Sequence, residues 1–479
     1  MRKKRYYRIR EKGRHPLRNI GIVTGIISGI LFLFYIAVAV YFSYHFYPGT
    51  IIHDKDFSWK SAQDVKRYFE HLTELYQLKI IDKDQKSEWI DGNRIDLKYN
   101  PGKEIQTALN GQNSFLWFYT AFHVGKVDLP ITVRYDNEKL KQEISNLYVV
   151  KQEQTEPASA FPVYKDGKYV VKKEEYGTAL DLEKLEDKIA EYISLFQPQI
   201  NLIDEQCYKQ PVYTAESPEV LNACEKMNMY CHLNISYDFG KTVIVTGDEI
   251  AGWLTVDDKM NVSINENAVK SWVSDLAGKY NTAGTTRNIT TPNGKTAQVT
   301  GGTYGWEIDE TAEVQELIEY LKKGKDFSRE PVYKEGQTAA SHEQHDWGDT
   351  YLEVDITQQY MWYIENGNIK LEAPVVTGLP QDGRDTPEGV YSILEMLRNT
   401  ILRGSINPVT GKPSYEQPVS YWMRITWSGI GFHDADWQEQ FGGTWYKEHG
   451  SHGCINMRPA DAGNLYKLID YGLPVIVHY

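Results

Sequence analysis

From Ile20 to Phe42 the chain reads IGIVTGIISGILFLFYIAVAVYF, with no charged side chain. A helix needs about 20 mostly apolar residues to cross a bilayer, so this run predicts one membrane span. Residues 1–19 carry nine Lys and Arg against one acid, Glu11. A basic flank on one side only places residues 1–19 in the cytoplasm and the chain after about residue 43 outside. Ala37-Val38-Ala39 resembles a signal-peptidase site, but the run is long for a signal peptide and stays bulky up to Tyr47, which favours an uncleaved anchor. Gly21, Gly25 and Gly29 form a small-residue ridge that could pack two such helices together.

The pattern then turns amphipathic. In a juxtamembrane α/β region (43–110), Val65, Tyr68, Phe69, Leu72 and Leu75 predict a helix over Ser61–Gln77. Two later stretches look alike. One runs from Gly167 (GKYVVKKEEYGTALDLEKLEDKIAEYI) with Pro211-Val212-Tyr213 after it; the other runs from Gly294 (GKTAQVTGGTYGWEIDETAEVQELIEYL) with Pro331-Val332-Tyr333 after it. Each is a strand ending in Tyr-Gly, a short strand ending in Asp181 or Asp309, and an amphipathic helix. The repeated order predicts a duplicated α/β module over 111–215 and 216–335. The polar run KEGQTAASHEQHDWGDT (334–350) reads as a structureless linker, centred on 336–349, in which His342 and His345 are solvated.

Past the linker, YLEVDIT, YMWYIE, IKLEAPVVTG, GVYSILEM and Pro474-Val475-Ile476-Val477 predict short strands, with one helix over Pro459–Tyr471. The fold class is therefore multidomain: an N-terminal transmembrane helix, α/β modules in the middle and a mostly-β C-terminal domain over 350–479. Residues 398–420 are Gly- and Pro-containing and read as an unstructured insertion, a candidate flap with Arg403 or Lys412 facing substrate carboxylates.

Charge narrows the partners. The chain carries a formal −13, and beyond the basic tip 43 basic residues face 64 acidic ones. Such a body is repelled by phosphate backbones, which excludes a nucleic-acid partner. The 34 Tyr and 12 Trp suit β structure and flat stacking surfaces. Of four cysteines, Cys207, Cys224 and Cys231 lie near enough in sequence to supply one extracytoplasmic disulfide, while Cys454 stands apart.

Cys454 sits in Ser451-His452-Gly453-Cys454-Ile455-Asn456, with His433 eighteen residues before Ser451. A thiol is mostly protonated at neutral pH and needs an imidazole to accept its proton. In an extended segment His452 and Cys454 share a face, and His433 reaches the same spot if its strand lies alongside. Gly453 permits close backbone approach, and the Gly453 and Cys454 N–H groups could polarise a carbonyl. Zinc held by His433, His452 and Cys454 uses the same residues, but the Gly-Cys turn fits an oxyanion site better, and no metal or cofactor is expected.

This arrangement resembles the signature of the YkuD-type L,D-transpeptidases. Val376-Thr377-Gly378, Thr386-Pro387-Glu388-Gly389-Val390-Tyr391 and Tyr421-Trp422-Met423 stand where that family has similar pieces. The resemblance covers 350–479 and implies Cys454 as nucleophile, His433 as general base, the Asp434 backbone carbonyl as its orienter, and His452 and Gly453 as shapers of the site. Ser451, Asn456, Arg458, Tyr421 and Trp422 are the expected substrate contacts. It further implies peptidoglycan stem peptides as donor and acceptor, a thioester intermediate, 3→3 cross-links and inhibition by carbapenems. A water-resolved carboxypeptidase or endopeptidase and a non-catalytic wall-binding scaffold are the alternatives. The duplicated modules resemble peptidoglycan-binding domains found ahead of such catalytic domains, with a plain spacer as the other reading.

Overall fold

A computed structural model describes residues 16–120, 125–336, 339–343, 345–381, 383–406 and 408–479. The basic cluster of residues 1–15 lies outside them. The chain divides into two compact units, one comprising residues 1–160 and 173–214, the other residues 161–172 and 215–479.

The first unit begins with α1 (Pro16–Phe42), whose Ile20–Phe42 stretch is long and apolar enough to cross a membrane and is largely uncovered by protein. Beyond it the helix Ala62–Glu74 starts at Ser61, which accepts from the Asp64 N–H in a reciprocal capping box. It stops three residues short of the expected Gln77, because Gln77 opens the strand Gln77–Ile81. That strand pairs antiparallel with Ser87–Asp91 and parallel with Gln199–Asn201.

The second unit repeats this order. A helix (Pro218–Cys231) leads into a strand (Ile235–Asp238) that pairs antiparallel with Thr242–Val245 and parallel with Phe327–Arg329. In both copies a small antiparallel pair, a helix, a two-stranded hairpin and a second helix lie between. Asp181 and Asp309 are N-caps of the last helices, accepting from the Lys184 and Ala312 N–H groups. The short strands expected before them are single bridges, Leu180 to Tyr208 and Ile308 to Tyr333. Tyr208 therefore holds the position of Tyr333, and the Pro211–Tyr213 match in sequence is out of step with the structure.

The hairpin Phe161–Lys172 belongs to the second unit: Tyr169 exchanges hydrogen bonds with the Asn228 side chain (2.7 and 2.8 Å), on the helix Pro218–Cys231. The second module's hairpin, Thr286–Thr300, packs Ile289 and Val299 against Val390 and Ile476 of the C-terminal domain. Backbones come so close that a Cβ on Gly302 (φ +85°) would lie 2.0 Å from the Val390 oxygen. The segment expected to be a loose linker helps hold this joint. Asp346 is fully buried and pairs with Arg287 at 3.1 Å, and Trp347 is buried in the same apolar cluster. His342, expected in solvent, is half-buried and stacks on Trp306, whereas His345 remains exposed while its ring lies against Trp347. All four cysteines are free; Cys224 and Cys231 stand on one helix seven residues apart, about 10 Å, too far to bridge.

Among the described residues the C-terminal domain is built on nine strands: β1 (Tyr351–Asp355), β2 (Tyr360–Glu365), β3 (Asn368–Pro374), β4 (Gly389–Ser392), β5 (Glu395–Arg403), β6 (Glu416–Arg424), β7 (Gly431–Asp434), β8 (Ile455–Met457) and β9 (Pro474–His478). One sheet runs β3-β2-β1-β9-β4, the other β5-β6-β7-β8, and the helix α2 (Pro459–Leu468) packs across β6 and β7. Val354, Met361, Val375, Met423, Phe432, Ile455 and Val477 are fully buried in its core. The expected insertion 398–420 is ladder at both ends: β5 and β6 pair in one register from Glu395–Arg424 to Arg403–Glu416, passing over Asn399. Ile401, Leu402 and Val419 supply the β-branched and apolar pattern that carries the strands through the polar composition.

Candidate active site

Three strands converge on the motif. β7 sets His433 opposite Trp422 of β6 and beside Asn456 of β8. Cys454 immediately precedes β8, and both Cys454 and His433 line a cavity of about 490 Å³ while being 9% and 4% exposed. The His433 Nδ1 lies 2.9 Å from the Asp434 carbonyl oxygen. A carbonyl only accepts, so Nδ1 carries the proton and Nε2 keeps its lone pair. Burial pushes the Cys454 thiol up to about 11 and the His433 imidazole down. Both shifts favour the neutral forms at pH 7, and a thiol acts as a nucleophile only on giving up its proton.

The turn before the cysteine is braced from both sides. Ser451 Oγ accepts from the Gly453 N–H (3.0 Å) and donates to the Cys454 carbonyl (2.6 Å). Thr386 Oγ1 accepts from the Gly378 N–H (2.9 Å) and donates to the Gly453 carbonyl (2.8 Å), all of it buried. The Gly453 N–H, expected to serve an oxyanion, donates here to Ser451 Oγ. Gly453 sits at φ +114°, and a Cβ there would meet Ile430 Cδ1 at 3.0 Å. Gly453→Ala is expected to keep the fold and displace Cys454, slowing acylation roughly a hundredfold; rapid-mixing acylation kinetics beside a thermal melt check this.

The other expected contacts separate into those that meet the cavity and those that do not. Asn456 does: it is buried, its backbone bridges to Val376, and its side-chain Oδ1 has no partner. His452 does as well, exposed and 5.1 Å from the Tyr415 ring. Trp422 backs Cys454 in a small buried cluster and donates its indole N–H to Glu395 (3.0 Å). Tyr421 does not reach the site. Successive strand residues face opposite ways, and Tyr421 packs against Gly463 and Tyr466 of α2. Arg458 lies outside the cavity wall, exposed, with its guanidinium over Phe441.

The cavity has two walls, one within the segment 398–420 expected as a flap, the other missed by sequence reading. One is the β5–β6 hairpin, contributing Leu402, Tyr415 and Gln417; Arg403 turns aside to pair with Glu416 (3.0 Å). The other is the loop 435–450, with Trp437, Gln438, Glu439, Trp445 and His449. This loop is braced internally: Trp445 donates to Gln438 (2.9 Å), Gln438 donates to the His449 carbonyl (3.0 Å), and Trp445 stacks on His449 at 3.6 Å. Its density of Trp and Gln was the available signal. The Asp434 carboxylate was missed too: it accepts the Ser420 and Tyr421 N–H groups at 2.8 Å and holds β6 against β7. Among the described residues, no three His, Cys, Asp or Glu side chains converge closely enough to hold a metal ion.

Residues 349–477 match the family described as L,D-transpeptidase catalytic domain, YkuD. Residues 90–199 and 220–329 each match the "Putative peptidoglycan binding domain" family. A crystal structure of Enterococcus faecium L,D-transpeptidase is 35% identical, covering 53% of this chain and 98% of that one, with a TM-score of 0.45. The catalytic domain of the E. faecium enzyme, solved acylated by ertapenem, is 44% identical over 27% of this chain and 96% of that one, with a TM-score of 0.24. "Probable L,D-transpeptidase 3" of Mycobacterium tuberculosis is 37% identical over 106 residues, 22% of this chain; the match spans only 37% of that relative's length. The motif around Cys454 and the near-complete coverage of an E. faecium relative at 35% identity together mean that the chain belongs to the YkuD-type L,D-transpeptidases, with two peptidoglycan-binding-type modules ahead of its catalytic domain.

Proposed function

We propose that this chain is a membrane-anchored, extracytoplasmic transpeptidase that forms 3→3 peptidoglycan cross-links through a thioester on Cys454. The observation that carries this reading is a buried thiol and a tautomer-fixed imidazole lining one cavity. The Cys454 sulfur attacks the carbonyl between the third residue of a tetrapeptide stem and its terminal D-alanine, while His433 Nε2 takes the thiol proton. We assign the Cys454 N–H as a backbone donor to the reacting carbonyl, because that of Gly453 already donates to Ser451. His433 then protonates the departing D-alanine amine, leaving the thioester. An amine from a second stem attacks it, His433 takes that amine's proton, and the thiol is restored. The helix α1 holds the enzyme in the membrane, with the basic N-terminus inside and the catalytic domain on the wall side.

The cavity's two walls suit two substrates. The hairpin wall offers no charge, whereas the loop wall offers Glu439, the one carboxylate among the lining residues. We assign the loop wall to the amine acceptor. Glu439→Gln should raise the KM for the acceptor about fivefold, the worth of an exposed ion pair, and leave β-lactam acylation unchanged. An unchanged KM would remove Glu439 from acceptor binding.

Intact-protein mass spectrometry of the chain incubated with a carbapenem tests the whole reading. A stable adduct is expected on the parent and none on Cys454→Ala. With the adduct established, formation of stem-peptide dimers by the parent completes the assignment. No adduct on either protein would overturn it.

A further inference from the structure

Beside α1 lies a short element that the catalytic site does not use and that has no counterpart between the strands Leu254–Val256 and Val262–Ile264 of the second module. A 3-10 turn (Ser114–Leu116) continues into a single helical turn (Trp117–Thr120). Its outward side chains are Phe115, Leu116, Phe118 and Tyr119, the last two 61% and 66% exposed. From residue 105 to residue 125 the sequence has no Asp, Glu, Lys or Arg. A contiguous exposed apolar patch of this kind on a water-facing protein marks a contact surface.

Its position says what covers it. The Gln112 side chain donates to the Phe42 and His45 carbonyls, both at 2.6 Å, closing the C-terminal end of α1. Trp117 packs against both Phe42 and Tyr35 of α1, and the Tyr35 hydroxyl donates to the Phe115 carbonyl. Tyr35 lies seven residues before Phe42, about 10 Å along the helix axis. The turn thus runs back alongside the apolar span, well below the level at which that span ends. Its polar backbone is largely answered from within. Leu116 N–H donates to the Asn113 carbonyl (2.7 Å), Phe115 N–H to the Asn113 side chain (3.2 Å), and the Thr120 hydroxyl to the Trp117 carbonyl (3.1 Å). Internal satisfaction is what a segment entering hydrocarbon requires, and the Tyr35–Phe115 bond removes a hydroxyl and a carbonyl that would otherwise face lipid. Exposed Tyr44 and Trp59 sit by the same end of α1, as aromatic residues do at a membrane surface.

We infer that residues 113–120 are a second membrane contact, dipping beside α1 into the outer leaflet and fixing how the extracytoplasmic part is held at the lipid surface. This rests on the reading of α1 as a membrane span. The occupant of the patch is lipid acyl chain. The test uses the full chain in vesicles of phosphatidylglycerol and phosphatidylcholine containing a phosphatidylcholine with an acyl-chain diazirine. After irradiation, adducts are mapped by peptide mass spectrometry. Adducts are expected on residues 20–42 and on residues 113–120, the latter at least about fivefold above the helix Asn137–Asn146. Phe118→Glu should lower labelling of 113–120 severalfold and leave that of α1 unchanged. Adducts on α1 alone would overturn the second contact and leave the anchor standing. Adducts on neither would overturn the anchor and with it this inference.

Discussion

Cys454→Ala is expected to leave a folded protein that no carbapenem or stem peptide acylates, and His433→Ala to slow acylation by roughly 10²–10⁴-fold, the range expected for a lost general base. The prediction follows from the resting state of the pair. Burial holds the thiol up at about 11 and favours the neutral imidazole, so the site does not begin as a thiolate–imidazolium ion pair. The acylation rate should therefore rise with pH as His433 loses its proton, with that acid limb below the ordinary histidine value because burial disfavours imidazolium. The sign is fixed: lowering pH protonates the base and stops the reaction. Above the limb the rate stays flat until the thiol itself ionises near 11. A stopped-flow pH profile of carbapenem acylation, with thiolate absorbance at 240 nm, reads both limbs. His433→Ala should lose the acid limb. Strong thiolate absorbance at pH 6 in the parent would show a preformed ion pair and refute the general-base order.

Glu313→Ala should destabilise the second module by about 3 kcal/mol, the low end of the cost of breaking a buried ion pair, because Arg329 is only partly buried. Glu313 is fully buried on the helix Glu310–Lys323 and accepts from Arg329 at 2.8 and 2.9 Å, from the Val332 N–H at 2.7 Å and from the Tyr237 hydroxyl. Removing the carboxylate leaves the Val332 N–H and the Tyr237 hydroxyl without this acceptor and leaves Arg329, 18% exposed, with the Glu330 carbonyl (2.7 Å) and the more distant Glu316 (3.8 Å). A fall in melting temperature of about 10 °C or more is expected by calorimetry. Glu313→Gln, which keeps the volume and part of the bonding, should fall between the two. A loss under about 1 kcal/mol for the alanine variant would mean that the pair is effectively solvated.

What could be read from the chain was what depends on neighbours in sequence. The uncharged run of α1 needs no tertiary partner to declare itself, and the repeated order of strand, cap and amphipathic helix recurs because each copy must bury the same face. The His433 and Cys454 motif was legible because the chemistry demands a thiol, an imidazole and a permissive glycine at short spacing. The linker was misread because composition counts only local apolar area. Asp346 and Trp347 are ordered by Arg287, Val390 and Ile476, which lie far away in sequence.

Side-chain direction was decided by tertiary structure alone. Tyr421 and Trp422 are adjacent, yet strand alternation sends one under α2 and the other behind Cys454, and only the register of β6 on β7 settles which. The same holds for the hairpin 395–424, whose polar, Gly- and Pro-containing sequence hides a ladder that long-range pairing stabilises. By itself the sequence determined the membrane-length helix, the duplicated module and the choice of Cys454 and His433 as the candidate pair. The cavity walls, the partner of the Gly453 N–H and the aromatic turn beside α1 came from the tertiary structure, because each depends on which distant surfaces meet once the chain is packed.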